Sequence, residues 1–173
     1  MKKIVPILAA MLCLLSACTA HTPKMLYVTD EIESIPAGCI KYSISLCLPE
    51  GTIESVFADN GDLRMYEAPD GSWFATTQII KGCTAQEAIR QMTGFAPESL
   101  GMLCTQSMSM PEYRFSWCTE GENGLLSCTG IVAEDAQYCY CLSFCAQEDA
   151  AKACTEARQT VMSGFGLYYD EGF

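Results

Sequence analysis

The chain is poor in the residues on which most enzyme chemistry depends. It holds one histidine, His21, in 173 residues. Ser-His-Asp and Cys-His nucleophiles need an imidazole base, so the usual triads are excluded from the body that follows His21. Ser-Lys pairs with Lys41, Lys81 or Lys152 have no spacing to recommend them. Basic residues are also scarce: 10 Lys and Arg stand against 21 Asp and Glu, for a net charge of −11. Phosphate binding needs clustered Lys and Arg, so nucleic acid is excluded as a partner. There is no C-x-x-C pair, no glycine-rich phosphate loop and no calcium loop. Asp59-Asn60-Gly61-Asp62 lacks the spacing and the closing Glu that calcium requires. Nor does any apolar run reach the roughly 20 residues of a spanning helix.

What is present is apolar and rich in sulfur. Hydrophobic residues make up 50 % and charged residues 18 %, with 12 cysteines. That is enough apolar material for one packed domain. Lys2 and Lys3 precede a twelve-residue apolar run at 4–15, the pattern of a signal peptide. The run ends in Leu15-Ser16-Ala17-Cys18. This resembles the lipobox of bacterial lipoproteins, which implies acylation of the Cys18 sulfur and cleavage before it. Residues 1–17 are then a leader, 18–37 a lipidated N-terminus and tether that includes His21, and 38–173 one globular domain. Cleavage removes two basic residues and no acid, so the acidic body is repelled by an anionic membrane and stands off it.

Along the body, Ile40, Tyr42, Ile44, Leu46 and Leu48 alternate with Cys39, Lys41, Ser43, Ser45 and Cys47, a period-two strand stopped by Pro49-Glu50-Gly51. Pro69-Asp70-Gly71 joins residues 63–67 and 73–80 in a hairpin. Thr84-Ala85-Gln86-Glu87 is a capping box. Ala85, Ala88, Ile89 and Met92 then form a helix stripe that Gly94 stops. Residues 100–110, 113–119, 124–132 and 138–146 read as strands, and 147–163 as a helix burying Ala150, Cys154, Ala157 and Val161. The stripes Tyr113/Phe115/Trp117 and Tyr138/Tyr140/Leu142/Phe144 read as core. Runs of strands with separated helices predict an α+β domain, a mostly antiparallel sheet with helices packed on it.

The element order and the segments Leu48-Pro49-Glu50-Gly51, Tyr113-Arg114-Phe115-Ser116-Trp117 and Met162-Ser163-Gly164-Phe165-Gly166-Leu167 resemble small extracytoplasmic lipoproteins of the PsbP/Mog1-like class. The resemblance implies an α/β/α sandwich over about residues 38–168. It implies no activity.

Ten cysteines remain after Cys13 and Cys18, and disulfides are permitted outside the cytosol. A three-residue loop at Glu122-Asn123-Gly124 sets Cys118 opposite Cys128, the expected bridge. Cys139 and Cys141 cannot bridge within one strand. Free buried thiols are the competing use. Two soft clusters suit copper or zinc: Met102, Cys104, Met108 and Met110 on one strand face, and Cys139, Cys141 and Cys145. The same pattern arises where Met and Cys simply pack under a helix.

The sequence therefore predicts a non-enzymatic lipoprotein anchored at the cell membrane on its extracytoplasmic face. It needs no cofactor and binds or scaffolds an unknown protein or small-molecule ligand. The competing readings are a soft-metal or thiol-redox envelope protein and, further off, a hydrolase using carboxylates alone.

Overall fold

The computed structural model describes residues 26–27, 41–56 and 62–169. Among these residues, ten strands and two α-helices follow the order β1 (Leu26–Tyr27), β2 (Ser43–Ser45), β3 (Ile53–Val56), β4 (Leu63–Glu67), β5 (Trp73–Lys81), α1 (Ala85–Thr93), β6 (Met102–Ser107), β7 (Met110–Gly121), β8 (Gly124–Glu134), β9 (Tyr138–Gln147), α2 (Thr155–Ser163) and β10 (Gly166–Tyr168). A 3-10 turn, Pro97–Ser99, precedes β6. Eight strands form one sheet in the order β1-β6-β7-β8-β9-β5-β4-β3, antiparallel except at β1 and β6. β10 and β2 make a separate antiparallel ribbon.

The sheet is covered on both faces. On the first, α1 lays Ala85, Ala88 and Ile89 over Met102, Phe115, Trp117, Cys128, Val132, Cys139, Cys141 and Cys145. On the second, α2 places Val161 and Met162 against Trp73, Ala75, Ile131, Leu142 and Phe144. The ribbon continues that layer, with Tyr42, Ile44, Phe165 and Leu167 over Tyr140, Ala133 and Met110. β9 runs through the middle and is buried at every position from Cys139 to Ala146. Its alternation therefore separates two buried faces, cysteines on one and aromatic or aliphatic side chains on the other. The expected α+β class is the observed one, and the aromatic stripes are core.

Local chemistry accounts for the elements that the sequence made plain. Glu87 N–H donates to the Thr84 hydroxyl at 3.3 Å, and Thr84 N–H donates to the Glu87 carboxylate at 2.9 Å. Gly94, at φ 75°, closes α1 in the left-handed region. At the β4–β5 turn, Ala68 N–H donates to Trp73 O and Gly71 N–H to Ala68 O.

Other expectations need correction. The strand read over 39–48 is reduced to Ser43–Ser45 in its described part. Only the residues opposite the three of β10 acquire a ladder, while Tyr42, Ile44 and Leu46 cover the second sheet face. The strand read over 100–110 is a hairpin that turns at Met108 and Ser109, both at positive φ (51° and 64°). The last helix begins at Thr155, because residues 148–154 form successive turns. Leu26–Tyr27, inside the expected tether, pairs with the edge of β6.

Candidate functional site

The site residues expected from sequence are dispersed more than they are gathered. Cys18 and His21 lie outside the described residues. The Cys118–Cys128 bridge is not formed. The β7–β8 turn has two residues, Glu122 and Asn123, between the paired Gly121 and Gly124. A two-residue turn shifts the register by one from a three-residue loop, so Cys118 faces Ser127 and Cys128 faces Trp117. Cys118 is thereby exposed and Cys128 buried, on opposite sides of the sheet.

The proposed methionine-rich ligand set is also split. Met102 and Cys104 share the α1 face, Met108 sits in the turn at 53 % exposure, and Met110 lies on the other face in the ribbon's cluster. Cys139, Cys141 and Cys145 do share one face of β9, all buried. Among the described residues no group of three or more His, Cys, Asp or Glu side chains is placed to hold a metal ion. Strand spacing explains this: alternate residues are about 6.6 Å apart with parallel side-chain directions.

What the α1 face does assemble is a field of thiols. Cys83 precedes the helix cap, partly exposed, and its carbonyl accepts from the Cys139 thiol at 3.0 Å. Burial first, then the nearby Cys141 and Cys83, hold Cys139 above the ordinary thiol range. Burial pushes Cys141 up to about 12 and raises Cys83, which Glu87 raises further. Protonated thiols are poor nucleophiles and poor metal ligands, and the buried Cys139 and Cys141 pack as small apolar groups. Further along β9, Cys145 stands directly opposite Cys128 on β8, both buried in the α1 cluster. Interaction between the two thiols pushes Cys145 up and Cys128 down. The sequence reading missed this pair.

Beside the thiols, a hollow of about 320 Å³ opens between α1 and the β6–β7 edge. It is lined by Ala85, Gln86, Ile89, Pro97, Glu98, Met102 and Tyr113. Its lining is mostly apolar, with Gln86, Glu98 and Tyr113 as the residues that carry polar side-chain atoms.

The buried acids and phenols serve the fold. Glu112, 4 % exposed, accepts from Arg114 Nε at 2.7 Å, and Arg114 reaches the Met162 carbonyl at 3.5 Å, tying β7 to the end of α2. Tyr140 donates to Asp135 Oδ2 at 2.9 Å and accepts from Tyr42 N–H at 3.1 Å. Asp135 Oδ1 takes Gln137 N–H and Tyr138 N–H at 2.7 and 2.6 Å, closing the β8–β9 turn. Among the described residues, no buried side-chain nitrogen or oxygen is without a partner. No helix among them is long and apolar enough to cross a membrane.

No protein-family model matches this chain, and no curated protein sequence does so. Solved structures do. The solution structure of cyanobacterial PsbP (CyanoP) from Synechocystis sp. PCC 6803 superposes with a TM-score of 0.52 at 13 % identity. The match covers 79 % of this chain and 98 % of that one. LpqN of Mycobacterium tuberculosis, described as involved in cell envelope biogenesis, gives 0.49 at 12 % identity over 76 % of this chain and 87 % of its own. A Bacteroides thetaiotaomicron protein gives 0.49 at 12 % identity over 75 % of this chain and 46 % of its own. The fold is PsbP-like.

Proposed function

We propose that this PsbP-like domain is a lipid-anchored, extracytoplasmic module that binds or scaffolds a partner and performs no catalysis. One conjunction carries the reading: a lipobox-like Cys18 behind a short apolar leader, followed by a PsbP-like α+β body. The disposition of the buried groups supports it. Glu112 is locked by Arg114, Asp135 by its turn, and the thiols of Cys139 and Cys141 are held protonated. A general acid or base needs a group free to meet substrate.

The experiment is metabolic labelling with an alkyne fatty acid in a bacterial host, comparing the full chain with its Cys18→Ala variant. The expected result is label on a membrane-bound mature form, lost in the variant, which accumulates as uncleaved precursor. External protease should then degrade the wild-type body in intact cells. Absence of label on the wild type, or protection of the body from external protease, sinks the reading.

A further inference from the structure

We propose that Cys128 and Cys145, opposed on the central strands β8 and β9, are a disulfide site that closes when the chain folds under oxidising conditions. The placement rests on the ladder itself. Glu148 N–H donates to Leu125 O at 2.9 Å at one end of the β8–β9 pairing, and Asp135 N–H donates to Tyr138 O at 3.0 Å at the other. These bonds flank the residue pairs Leu126/Gln147 and Glu134/Cys139, which are therefore non-hydrogen-bonded pairs. Such pairs alternate along an antiparallel ladder, and Cys128/Cys145 falls an even number of residues from both. It is thus a non-hydrogen-bonded pair too, with Cα atoms about 4.5 Å apart. That lies within the roughly 4.4–6.8 Å span of disulfides. Both side chains point to the α1 face, at 1 % and 5 % exposure, and belong to the same packed cluster.

No other cysteines in the described sheet face each other across strands. Cys139 meets Glu134 and Ile80, Cys141 meets Val132 and Gln78, Cys118 meets Ser127 and Cys104 meets Tyr113.

The chemistry is thiol–disulfide exchange with an external disulfide. One cysteine, as its thiolate, attacks a sulfur of that disulfide and releases one thiol. The second cysteine then attacks the mixed disulfide, forms the Cys128–Cys145 bond and releases the other thiol. The pair loses two electrons and two protons, and the external disulfide gains them as two thiols. An external disulfide cannot reach thiols buried as deeply as these, so closure belongs to folding, before α1 seals the face.

The test is refolding of the full chain from denaturant and reductant into a buffer of reduced and oxidised glutathione. Alkylation of free thiols and non-reducing peptide mapping follow. The expected result is one dominant link between the peptides carrying Cys128 and Cys145, unchanged in a Cys118→Ala variant. In Cys145→Ala, Cys128 should be recovered alkylated or capped by glutathione. Recovery of both cysteines as free thiols from folded wild-type protein would overturn the proposal. So would a dominant link from Cys128 to any other cysteine. Both readouts come from the wild-type chain, so a variant that fails to fold leaves the test intact.

Discussion

The two faces of the sheet are built by different rules. On the α1 face the helix is specified locally. Its capping box, its stripe and its stop at Gly94 all lie within eleven residues of sequence. The layer beneath it mixes sulfur, from Met102, Cys128, Cys139, Cys141 and Cys145, with the paired rings of Phe115 and Trp117. On the other face α2 has no side-chain cap at Cys154, and its buried residues are Val161 and Met162. It stands on aromatic neighbours, where Trp73 stacks on Phe144 at 5.2 Å. One helix of nine residues is encoded by its own ends; the other, of the same length, is held in place by what it covers.

This contrast can be broken most forcefully on the α2 face. Phe144→Ala should cost about 3–5 kcal/mol, since it deletes a buried ring and leaves a cavity under α2. Cys141→Ala, at an equally buried position of the same strand, removes one sulfur and should cost about 1 kcal/mol. Denaturant midpoints of the two variants measure the difference, and equal losses would erase the distinction between the faces.

On the α1 side, Gly130→Ala should destabilise by roughly 1–3 kcal/mol. A Cβ there would lie 2.7 Å from the Phe115 ring and 3.1 Å from Trp117. A smaller effect is expected from Thr84→Ala, about 1 kcal/mol from the lost cap. Its signature is earlier hydrogen exchange in α1 with α2 unchanged; unchanged protection in α1 would show that it does not depend on its cap, and equal loss in both helices would show that the two faces open together.

The smallest effect is the pH dependence of that cap. The Thr84 backbone N–H, helped by the Thr84 hydroxyl, holds the Glu87 carboxyl below its ordinary value of 4.5. A carboxyl lowered in the folded state stabilises above its unfolded value, and that stabilisation is lost as pH falls through the folded one. Glu87→Gln should therefore lose stability at neutral pH and flatten the acid limb below pH 4.5. Parallel melting-temperature profiles for wild type and variant would refute this.

The same contrast explains what could be read in advance. α1, the β4–β5 hairpin, β8 and β9 carry their own signals: a capping box, Pro69-Asp70-Gly71, and alternating runs. The β6–β7 hairpin carries none, since Met108 and Ser109 take positive φ without the glycine or asparagine that normally marks such a turn. The start of α2 is not legible because its periodicity continues through the turns of 148–154, which only tertiary packing distinguishes from helix. The thiol pair was hidden for a related reason. One residue in the β7–β8 loop decides whether Cys128 faces Cys118 or Trp117. Its true partner depends on the β8–β9 register, which a turn without glycine, Asp135-Ala136-Gln137, leaves unstated.

The chain has two tryptophans, and the fold sends one to each face: Trp117 beside the thiols under α1, Trp73 against Phe144 under α2. Each indole is thus an optical gauge of one layer alone. With either one replaced by Phe, the emission of the other reports whether its own layer opens. Coincident transitions would mark a single cooperative unit across the sheet. Separated ones would resolve the sandwich into two units, each melting on its own side.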